Sequence, residues 1–261
     1  MPLPLGHLDL LLPTAAAATA DWWAQRIAFL VIAASTFLFT ALARRGWRSP
    51  VRRIPGIAAI EEAVGRATEM GRPILFCGGI HGLQKIQTVA SFPILDHVAA
   101  LAARYGERLL VPICQPEILP VSLQVARDAY RREGREVDFR PDDLRYLPGG
   151  QFYFALSAMG WMQRERPAAC VYFGYYEAEA LLFGETGRVC GALQIAATTE
   201  FFQIPFFIAT CDHVVICEEF FAASAQVSGD PVLIGSLASQ DFAKLLLIVV
   251  LLIGLLVTAI S

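Results

Sequence analysis

The sequence predicts a Rossmann-like α/β domain with a mostly parallel sheet flanked by helices, bracketed by one N-terminal and one C-terminal transmembrane helix. Residues 27–43 and 245–260 contain no ionisable side chain, and each stretch approaches the roughly 20 residues that cross a bilayer. Between them, short β-branched or aromatic runs alternate with longer helical patterns. This alternation is typical of parallel strands joined by helices.

The two apolar stretches divide the chain into four predicted parts. Trp22 and Trp23 precede the first stretch as interfacial aromatic residues, and Phe242 and Ala243 lengthen the second. A pair of buried core helices is the alternative, but the second stretch has no polar face. A signal peptide is disfavoured because residues 1–13 contain no Lys or Arg. The parts are an extracytoplasmic leader (1–21), a first transmembrane helix (22–43), a cytoplasmic α/β domain (44–241) and a second transmembrane helix (242–261).

Basic residues predict the orientation in the membrane. Five arginines directly follow the first apolar stretch, whereas the short segment before it carries Arg26 alone. The positive-inside rule therefore predicts a two-pass protein of the cell (inner) membrane, with a cytoplasmic domain and both termini outside. The lipid bilayer is the expected partner, and nucleic acid is not, because the net charge is −3. The arginines expected at the membrane surface are Arg44, Arg45, Arg48, Arg52 and Arg53.

Within the domain, apolar runs predict the strands and 3.6-residue periodicity predicts the helices. Pro55 near the start and Gly71 at the end bound the first helix, which carries an apolar stripe. The segment 136–141 is expected to be a strand or a loop, and 177–202 to form one or two helices. Strands are predicted at 73–80, 108–114, 168–176, 204–211 and 213–217. Further helices are predicted at 91–106, 121–134, 151–166 and 218–228.

A ligand site is expected where the strands end, because open α/β sheets bind ligands at the carboxyl ends of their strands. The polar or glycine residues at or after the ends of the predicted strands are Gly78, Gly79, His81, Gly82, Glu117, Glu177, Glu179, Asp212 and His213. A glycine loop before a helix can expose N–H groups to a phosphate, with Lys85 as a counter-charge. Tight-turn glycines are the simpler interpretation, because no nucleotide-binding motif is matched. No cofactor is assigned.

Other chemistries have weaker support in the sequence. His81, Glu117, Asp212 and His213 have the side-chain types of metal ligands, but their spacing matches no metal motif, so no metal site is predicted. Carboxylates in apolar surroundings can cap helices or form an acid/base pair. They are Glu177, Glu179, Glu185, Glu200, Glu218 and Glu219. Cys77 is the nearest candidate nucleophile, and a core thiol is favoured over that role.

Six cysteines lie in or beside apolar runs, without a C-x-x-C pair. Buried, reduced thiols explain them best, in agreement with a cytoplasmic domain. The cysteines are Cys77, Cys114, Cys170, Cys190, Cys211 and Cys217.

Several segments resemble an uncharacterised prokaryotic family of membrane-anchored proteins that is defined by a domain of unknown function. The segments are RRIPGIAAIEEAVGRATEMGRP, EAEALLFGETG, GALQIAATTEFFQIPFF and CDHVVICEEFFAASAQVSGDP. The resemblance implies the same architecture and no activity. Its pattern has a glycine in place of Cys217, which puts the turn there in question. The matching positions include Glu179, Glu185, Gly187, Gln194, Asp212, Glu218 and Glu219.

Aromatic doublets in the domain bear on function. Phe201-Phe202, Phe206-Phe207 and Phe220-Phe221 are expected to place side chains on both faces of strands, or on a surface that meets a partner. The sequence therefore favours a membrane-anchored binding or assembly module, forming a homo-oligomer or joining a membrane-protein partner. A ligand site at the strand edge is a secondary expectation. The alternative is a membrane-tethered enzyme, of hydrolase or nucleotide-processing type, that acts on small molecules.

Overall fold

A computed structural model describes residues 15–47 and 54–260, and the chain divides into two compact units. One unit contains residues 1–50 and 230–261, and the other contains residues 51–229. The helices are α1 (Ala15–Arg44), α2 (Pro55–Met70), α3 (Ile86–Tyr105), α4 (Ile118–Arg132), α5 (Gly150–Glu165), α6 (Glu179–Cys190), α7 (Ile204–Thr210), α8 (Glu218–Ser228) and α9 (Pro231–Ile260). The strands are β1 (Ile74–Gly79), β2 (Leu109–Ile113), β3 (Leu144–Tyr146), β4 (Ala169–Tyr175), β5 (Leu193–Thr198) and β6 (His213–Ile216).

The second unit is built on one six-stranded sheet in which every paired strand is parallel. The strand order is β3-β2-β1-β4-β5-β6, which is the doubly wound Rossmann order. The order reverses between β1 and β4, so the loops after these two strands diverge to opposite faces of the sheet. The predicted α/β class with a parallel sheet and flanking helices is confirmed.

Both faces of the sheet are covered by helices. The core on one face includes residues of α2, α3, α4 and α8, such as Ile60, Val98 and Phe220. The core on the other face includes α5 and α6 and is rich in aromatic side chains, with Tyr172 and Phe207 stacked at 6.0 Å between ring centroids. Because both faces are buried, the central strands contain continuous apolar runs, and these runs made β1, β2 and β4 predictable.

Two predicted elements exchange their secondary structure. The run 204–211 was expected to be a strand, but residues Ile204–Thr210 form helix α7, which begins with Pro205 in its first turn. The segment 193–198 was expected to be helical, but it forms the buried strand β5. A short apolar run does not distinguish a strand from a buried helix. The segment 136–141, expected to be a strand or a loop, contains the single 3₁₀ turn Glu136–Asp138 and begins a second, Pro141–Asp143, and strand β3 follows outside that segment.

The aromatic doublets do not lie on strands, so the inference drawn from strand alternation is wrong. Phe201 and Phe202 lie in the turn before α7 and are 75% and 82% exposed. The other two doublets are helical, one on α7 and one on α8. Each of these has one buried ring, Phe207 and Phe220 respectively. Part of the aromatic content of the domain therefore lies on its surface.

The turn into α8 has an unusual backbone conformation. Cys217 has φ +50° and ψ −113°, a region that a residue with a Cβ rarely adopts. Glycine adopts it without steric cost, so Cys217 holds a backbone conformation that favours glycine.

The first unit contains α1 and α9, which pack against each other. Ser239 Oγ lies 3.1 Å from Ser35 Oγ and 2.8 Å from Thr36 Oγ1. Farther along, a Cβ at Gly235 would meet the backbone of Thr40. Contacts made by higher-numbered residues of α1 fall on lower-numbered residues of α9, so the two helices are antiparallel.

Apolar helices near both ends of the chain are confirmed. By length and composition, three helices of the described chain can cross a membrane. They are Gln25–Arg44 within α1, Ile86–Tyr105, which is α3, and Pro231–Leu256 within α9. The sequence predicted only the first and the last. The last helix also begins at Pro231, well before the predicted boundary at Phe242. Most of the predicted leader, residues 1–14, lies outside the described residues.

Candidate functional site

Polar side chains from two loops meet beside the point where the strand order reverses. His81, in the loop after β1, has its Nε2 3.6 Å from Oε1 of Glu177, which follows β4. Its ring packs edge-on against Tyr175 at 4.4 Å between centroids, and Nζ of Lys85 lies 4.2 Å from the centre of the same ring. Tyr175 therefore holds the histidine and the lysine beside each other, through ring packing and a cation–π contact. We call these four residues the edge cluster.

The two glycines at the end of β1 allow close contact between the backbones of β1 and β4. Gly79 has φ +89°, and a Cβ there would meet the backbone of Tyr175. A Cβ at Gly174 would likewise meet the carbonyl oxygen of Gly78. This close approach explains Gly78 and Gly79 without a bound phosphate. Their ligand-binding role stays a prediction.

A carboxylate lies against the third glycine of the loop. A Cβ at Gly82 would collide with Oε1 of Glu117, so this carboxylate lies directly against the loop. Gln115 fixes the same loop by donating from Nε2 to the carbonyl oxygen of Ile80 at 3.0 Å. The nearby charges therefore include carboxylates as well as Lys85.

Glu179 supports the turn after β4 from inside the domain. It is fully buried, and its carboxylate accepts from the backbone N–H of Glu177 and from Nε2 of Gln151, both at 2.8 Å. Burial raises the pKa of Glu179, while these hydrogen bonds act in the opposite direction. The residue lies in the first turn of α6, where a negative charge is favoured. Its contacts show a structural role that positions Glu177.

A further pair of side chains joins the start of α3 to the turn after β5. Nε2 of Gln87 donates to Oγ1 of Thr199 at 2.7 Å and lies 3.4 Å from Oε1 of Glu200. Sequence inspection did not single out Gln87, Thr199, Tyr175 or Gln151. The position of Tyr175 at the end of a predicted strand was the one available signal. The others depend on how loops far apart in the sequence meet.

The prediction that Asp212 and His213 follow a strand is wrong. Both precede or begin β6, so they lie at the amino edge of the sheet, whereas His81 follows the carboxyl end of β1. Oδ2 of Asp212 accepts from the backbone N–H of Gln194, at the start of β5, at 2.8 Å. The error follows from assigning α7 as a strand. The suggested metal set is therefore divided between two edges, and the described residues contain no group of three or more His, Cys, Asp or Glu placed to hold a metal.

The cavity nearest the edge cluster is small. It lies between the carboxyl ends of β1 and β2 and the helices α3 and α4, and it is lined by Thr88, Ser91, Val111, Gln115 and Ser122, among others. Its volume of about 20 Å³ corresponds to one water molecule. Sites for drug-sized ligands are larger by more than tenfold. This cavity is therefore too small for a drug-sized ligand.

All six cysteines are free thiols, and four of them are buried. Burial raises the pKa of Cys77 to about 12 and that of Cys114 to about 11. A thiol with such a pKa is almost entirely protonated at neutral pH and is a poor nucleophile. The interpretation of Cys77 as a core thiol is thus favoured over a catalytic one.

Part of the arginine group lies outside the described residues. Arg44 ends α1 and Arg45 follows it in a turn. Their predicted contact with the membrane surface stays a prediction. The arginines that fall outside the described residues are Arg48, Arg52 and Arg53.

The fold and the edge cluster define a doubly wound parallel α/β domain that shares its chain with apolar helices near both ends. The chain belongs to the family described as Domain of unknown function (DUF6754), whose model matches residues 14–261. The resemblance to a family with a domain of unknown function is thereby confirmed. No curated protein and no solved structure matches the chain.

Proposed function

We propose that this chain is a two-pass membrane protein whose α/β domain is a binding and assembly module on the cytoplasmic side of the cell (inner) membrane. Helices α1 and α9 have 30 residues each, or about 45 Å at 1.5 Å per residue. The hydrocarbon core of a bilayer is about 30 Å thick. Both helices are therefore long enough to cross it and to reach the headgroup region on each side.

The packing of α1 against α9 is the observation that carries the proposal. Ser35, Gly235 and Ser239 are buried in the contact, beside a ring contact between Phe39 and Phe242, while most large apolar side chains of the two helices are exposed. In water such an arrangement would expose the apolar surface and bury the polar one. In lipid it is favourable, because small residues permit close packing and hydroxyl groups bond across helices.

The ends of α1 agree with a membrane span. The guanidinium of Arg26 lies 3.3 Å from the ring centre of Trp22 at one end, and Arg44 and Arg45 lie at the other. Aromatic residues are favoured at membrane interfaces, and basic residues accumulate on the cytoplasmic side. This asymmetry supports a domain in the cytoplasm and termini outside.

Helix α3 belongs to the α/β domain in this proposal, although its composition is also compatible with a span. Half of the most apolar 18-residue stretch of α3 is buried within the protein, compared with 11% of the corresponding stretch of α1 and 6% of that of α9. It contacts α2, α4, α8, β1 and β4. It also carries Asp96, whose carboxylate forms an ion pair with Arg132 at 2.6 Å. A lipid-facing helix would not keep such contacts on several sides.

Binding is favoured over covalent catalysis by the state of the groups near the strand ends. Burial raises the pKa of the Cys77 and Cys114 thiols and so favours their protonated form, and the Glu179 carboxylate already accepts two hydrogen bonds. The edge cluster itself is partly exposed, with 30% of the His81 side chain and 44% of the Glu177 side chain accessible. These features suit reversible contact with a polar surface.

Assembly is supported by the outer face of α5. Phe152, Tyr153 and Leu156 are 53%, 71% and 60% exposed, and their spacing places them together on one side of the helix. Contiguous exposed apolar side chains are typical of protein contacts. We propose a homo-oligomer that uses this face.

Reporter fusions test the topology. Alkaline phosphatase and green fluorescent protein are fused in turn after Ser261 and inserted at Val137, which is 99% exposed. We expect phosphatase activity only at the C-terminus and fluorescence only at Val137. Fluorescence at both positions would overturn the second crossing, and the reverse pattern would overturn the orientation.

The oligomeric state tests the assembly part separately. Light scattering of the detergent-purified chain should give a defined multimer, and Leu156→Glu should dissociate it. Val137→Glu, at a position outside α5 that is 99% exposed, is the control for added charge and should leave the multimer intact. A monodisperse wild-type monomer at micromolar concentration would contradict homo-oligomerisation.

A further inference from the structure

Exposed apolar side chains collect at the carboxyl edge of the sheet, on two neighbouring segments. Gln87 joins these segments through its hydrogen bond to Thr199. Each side chain is between 40% and 82% exposed. We call this surface the apolar rim; it consists of Leu83, Ile86, Val89, Phe201, Phe202 and Phe206.

Chain connectivity places the rim at one edge of the domain. Strands β1 and β5 both end there, and α3 and α7 begin there. Residue Leu83 lies between β1 and α3, and Phe201 and Phe202 lie between β5 and α7. Because the sheet is parallel, the loops after its strands are all at this edge.

The start of the domain lies on the same side. Helix α2 has 16 residues, about 24 Å, and a short turn joins its end to the amino end of β1. Its first turn must therefore lie toward the carboxyl edge. The packing agrees, because a Cβ at Gly56 would meet Val215 near the carboxyl end of β6.

The end of the domain lies beside its start. The backbone N–H of Ile54 donates to Oε1 of Gln226, in the last turn of α8, at 3.4 Å. Only Gly229 and Asp230 separate α8 from α9, and nine residues, 45–53, separate α1 from Ile54. Both connections to the apolar helices thus leave the domain near the edge that carries the rim.

From this coincidence we infer that the apolar rim rests on the bilayer surface, with Phe201 and Phe202 inserted at the headgroup level. The inference relies on the proposed membrane anchoring. Aromatic side chains are favoured at this depth. Two short tethers hold the rim near the bilayer at a high effective concentration, so a weak surface contact is enough to keep it there. The edge cluster beside the rim then faces lipid headgroups rather than bulk cytoplasm.

Tryptophan quenching by brominated lipid tests this contact in the full chain. Phe202→Trp and Val137→Trp are reconstituted separately into phosphatidylcholine vesicles, with and without dibrominated acyl chains. Val137 follows α4 at the opposite edge and is almost fully exposed, so it is the matched control. We expect brominated lipid to lower the fluorescence of the added tryptophan at position 202 at least twofold, measured as the difference from the wild type, and to leave that of the added tryptophan at position 137 unchanged.

The native tryptophans separate failure of the inference from failure of the anchoring proposal. Trp22, Trp23 and Trp47 belong to the helical unit and should be quenched in every variant. If they are quenched and position 202 is not, the rim does not touch lipid and the inference is overturned while the anchor stands. If they are not quenched, the anchoring itself fails. A blue-shifted but unquenched tryptophan at 202 that depends on protein density would assign the rim to a second copy and would also overturn the inference.

Discussion

The α/β domain and the α1–α9 pair contain the same kinds of apolar side chains and use them in opposite ways. In the domain, Ile60 and Phe173 are fully buried. In the helix pair, Ile248 is 54% exposed, whereas Ser35 and Ser239 are buried. Water drives large apolar groups into the interior of a protein. Lipid tails are as apolar as leucine, so helices in a bilayer associate through close packing of small residues and through hydrogen bonds between hydroxyl groups. Under the proposed membrane anchoring, burial in each unit follows the solvent that surrounds it.

Helix α3 shows that composition alone does not separate the two regions. It meets the same length and composition limits as α1 and α9, with a mean hydropathy of 1.3 against 2.0 for each of them. However, its buried residues lie on several sides, because strands and helices of the domain surround it. Its neighbours therefore distinguish it from the other two helices.

The largest expected effect comes from matched truncations of one isoleucine in each region. Ile60→Ala leaves a cavity in the core of the domain and should lower its free energy of unfolding by about 2–5 kcal/mol. Ile248→Ala removes an exposed side chain of α9 and should change the unfolding of the domain by less than about 0.5 kcal/mol. Urea titrations of the detergent-solubilised chain, followed by near-UV circular dichroism, measure both. Equal losses would show that the two regions do not differ as proposed.

The second effect concerns the buried carboxylate of the domain. Glu179→Ala leaves the N–H of Glu177 and the amide of Gln151 without their acceptor, which should cost about 1–3 kcal/mol. Glu185→Ala, on the same helix, removes only a surface ion pair with Arg188 and should cost less than about 1 kcal/mol. Denaturant titrations compare the two variants. A loss in Glu185→Ala as large as in Glu179→Ala would contradict the structural role of Glu179.

The third effect addresses the contact between α1 and α9. Ser239→Ala removes both hydroxyl bonds to α1 and should weaken the pair by about 0.6 kcal/mol, the average for such bonds in membrane proteins. Ser236→Ala, which lies outside these two bonds, is the control and should have no effect. Unfolding by titration with sodium dodecyl sulfate, followed by fluorescence of Trp22 and Trp23, provides the measurement. Identical curves for both variants would remove the support that this contact gives to the anchor.

The smallest effect at neutral pH belongs to His97, on α3. Burial lowers its pKa from 6.5, against the opposing influence of Glu61 and Asp96, and Arg104 lowers it further. Its Nε2 finds no hydrogen-bond partner in the part of the chain that the structure describes. The unfolded state therefore binds the proton more readily, so stability should fall as the pH drops below about 6.5. His97→Leu should flatten this decline in urea titrations between pH 7 and 5, and an unchanged slope would exclude His97 as its source.

Part of the fold could be predicted from the sequence because local signals agreed with tertiary structure. Strands β1, β2 and β4 are continuous apolar runs, and α2 has a proline in its first turn and Gly71 at its C-terminus. Strand β5 could not be predicted from its LQIAAT sequence, because alanine and glutamine do not favour strands. Gln194 is accommodated there because its amide donates to the carbonyl oxygens of Gly184 and Thr210.

The candidate site was predictable only in part, for a related reason. His81 and Glu177 were assigned to the ends of the correct strands, and they do meet. Asp212 was assigned to the wrong edge, because the apolar sequence of α7 is equally compatible with a strand. The wrong assignment of α7 as a strand reversed the predicted direction of the chain at that point. Tyr175 and Gln87 owe their importance to contacts that no local pattern contains.

The sequence by itself determined the apolar helices, the α/β class and the positions of most strand ends, because these depend on hydrophobic periodicity and turn residues within short segments. The tertiary structure alone decided which loops meet, which apolar helix belongs inside a domain, and which edge carries both ends of that domain. These depend on pairings between distant segments, such as Gln87 with Thr199 and Ile54 with Gln226. Their energies arise only when the strand order brings the segments together.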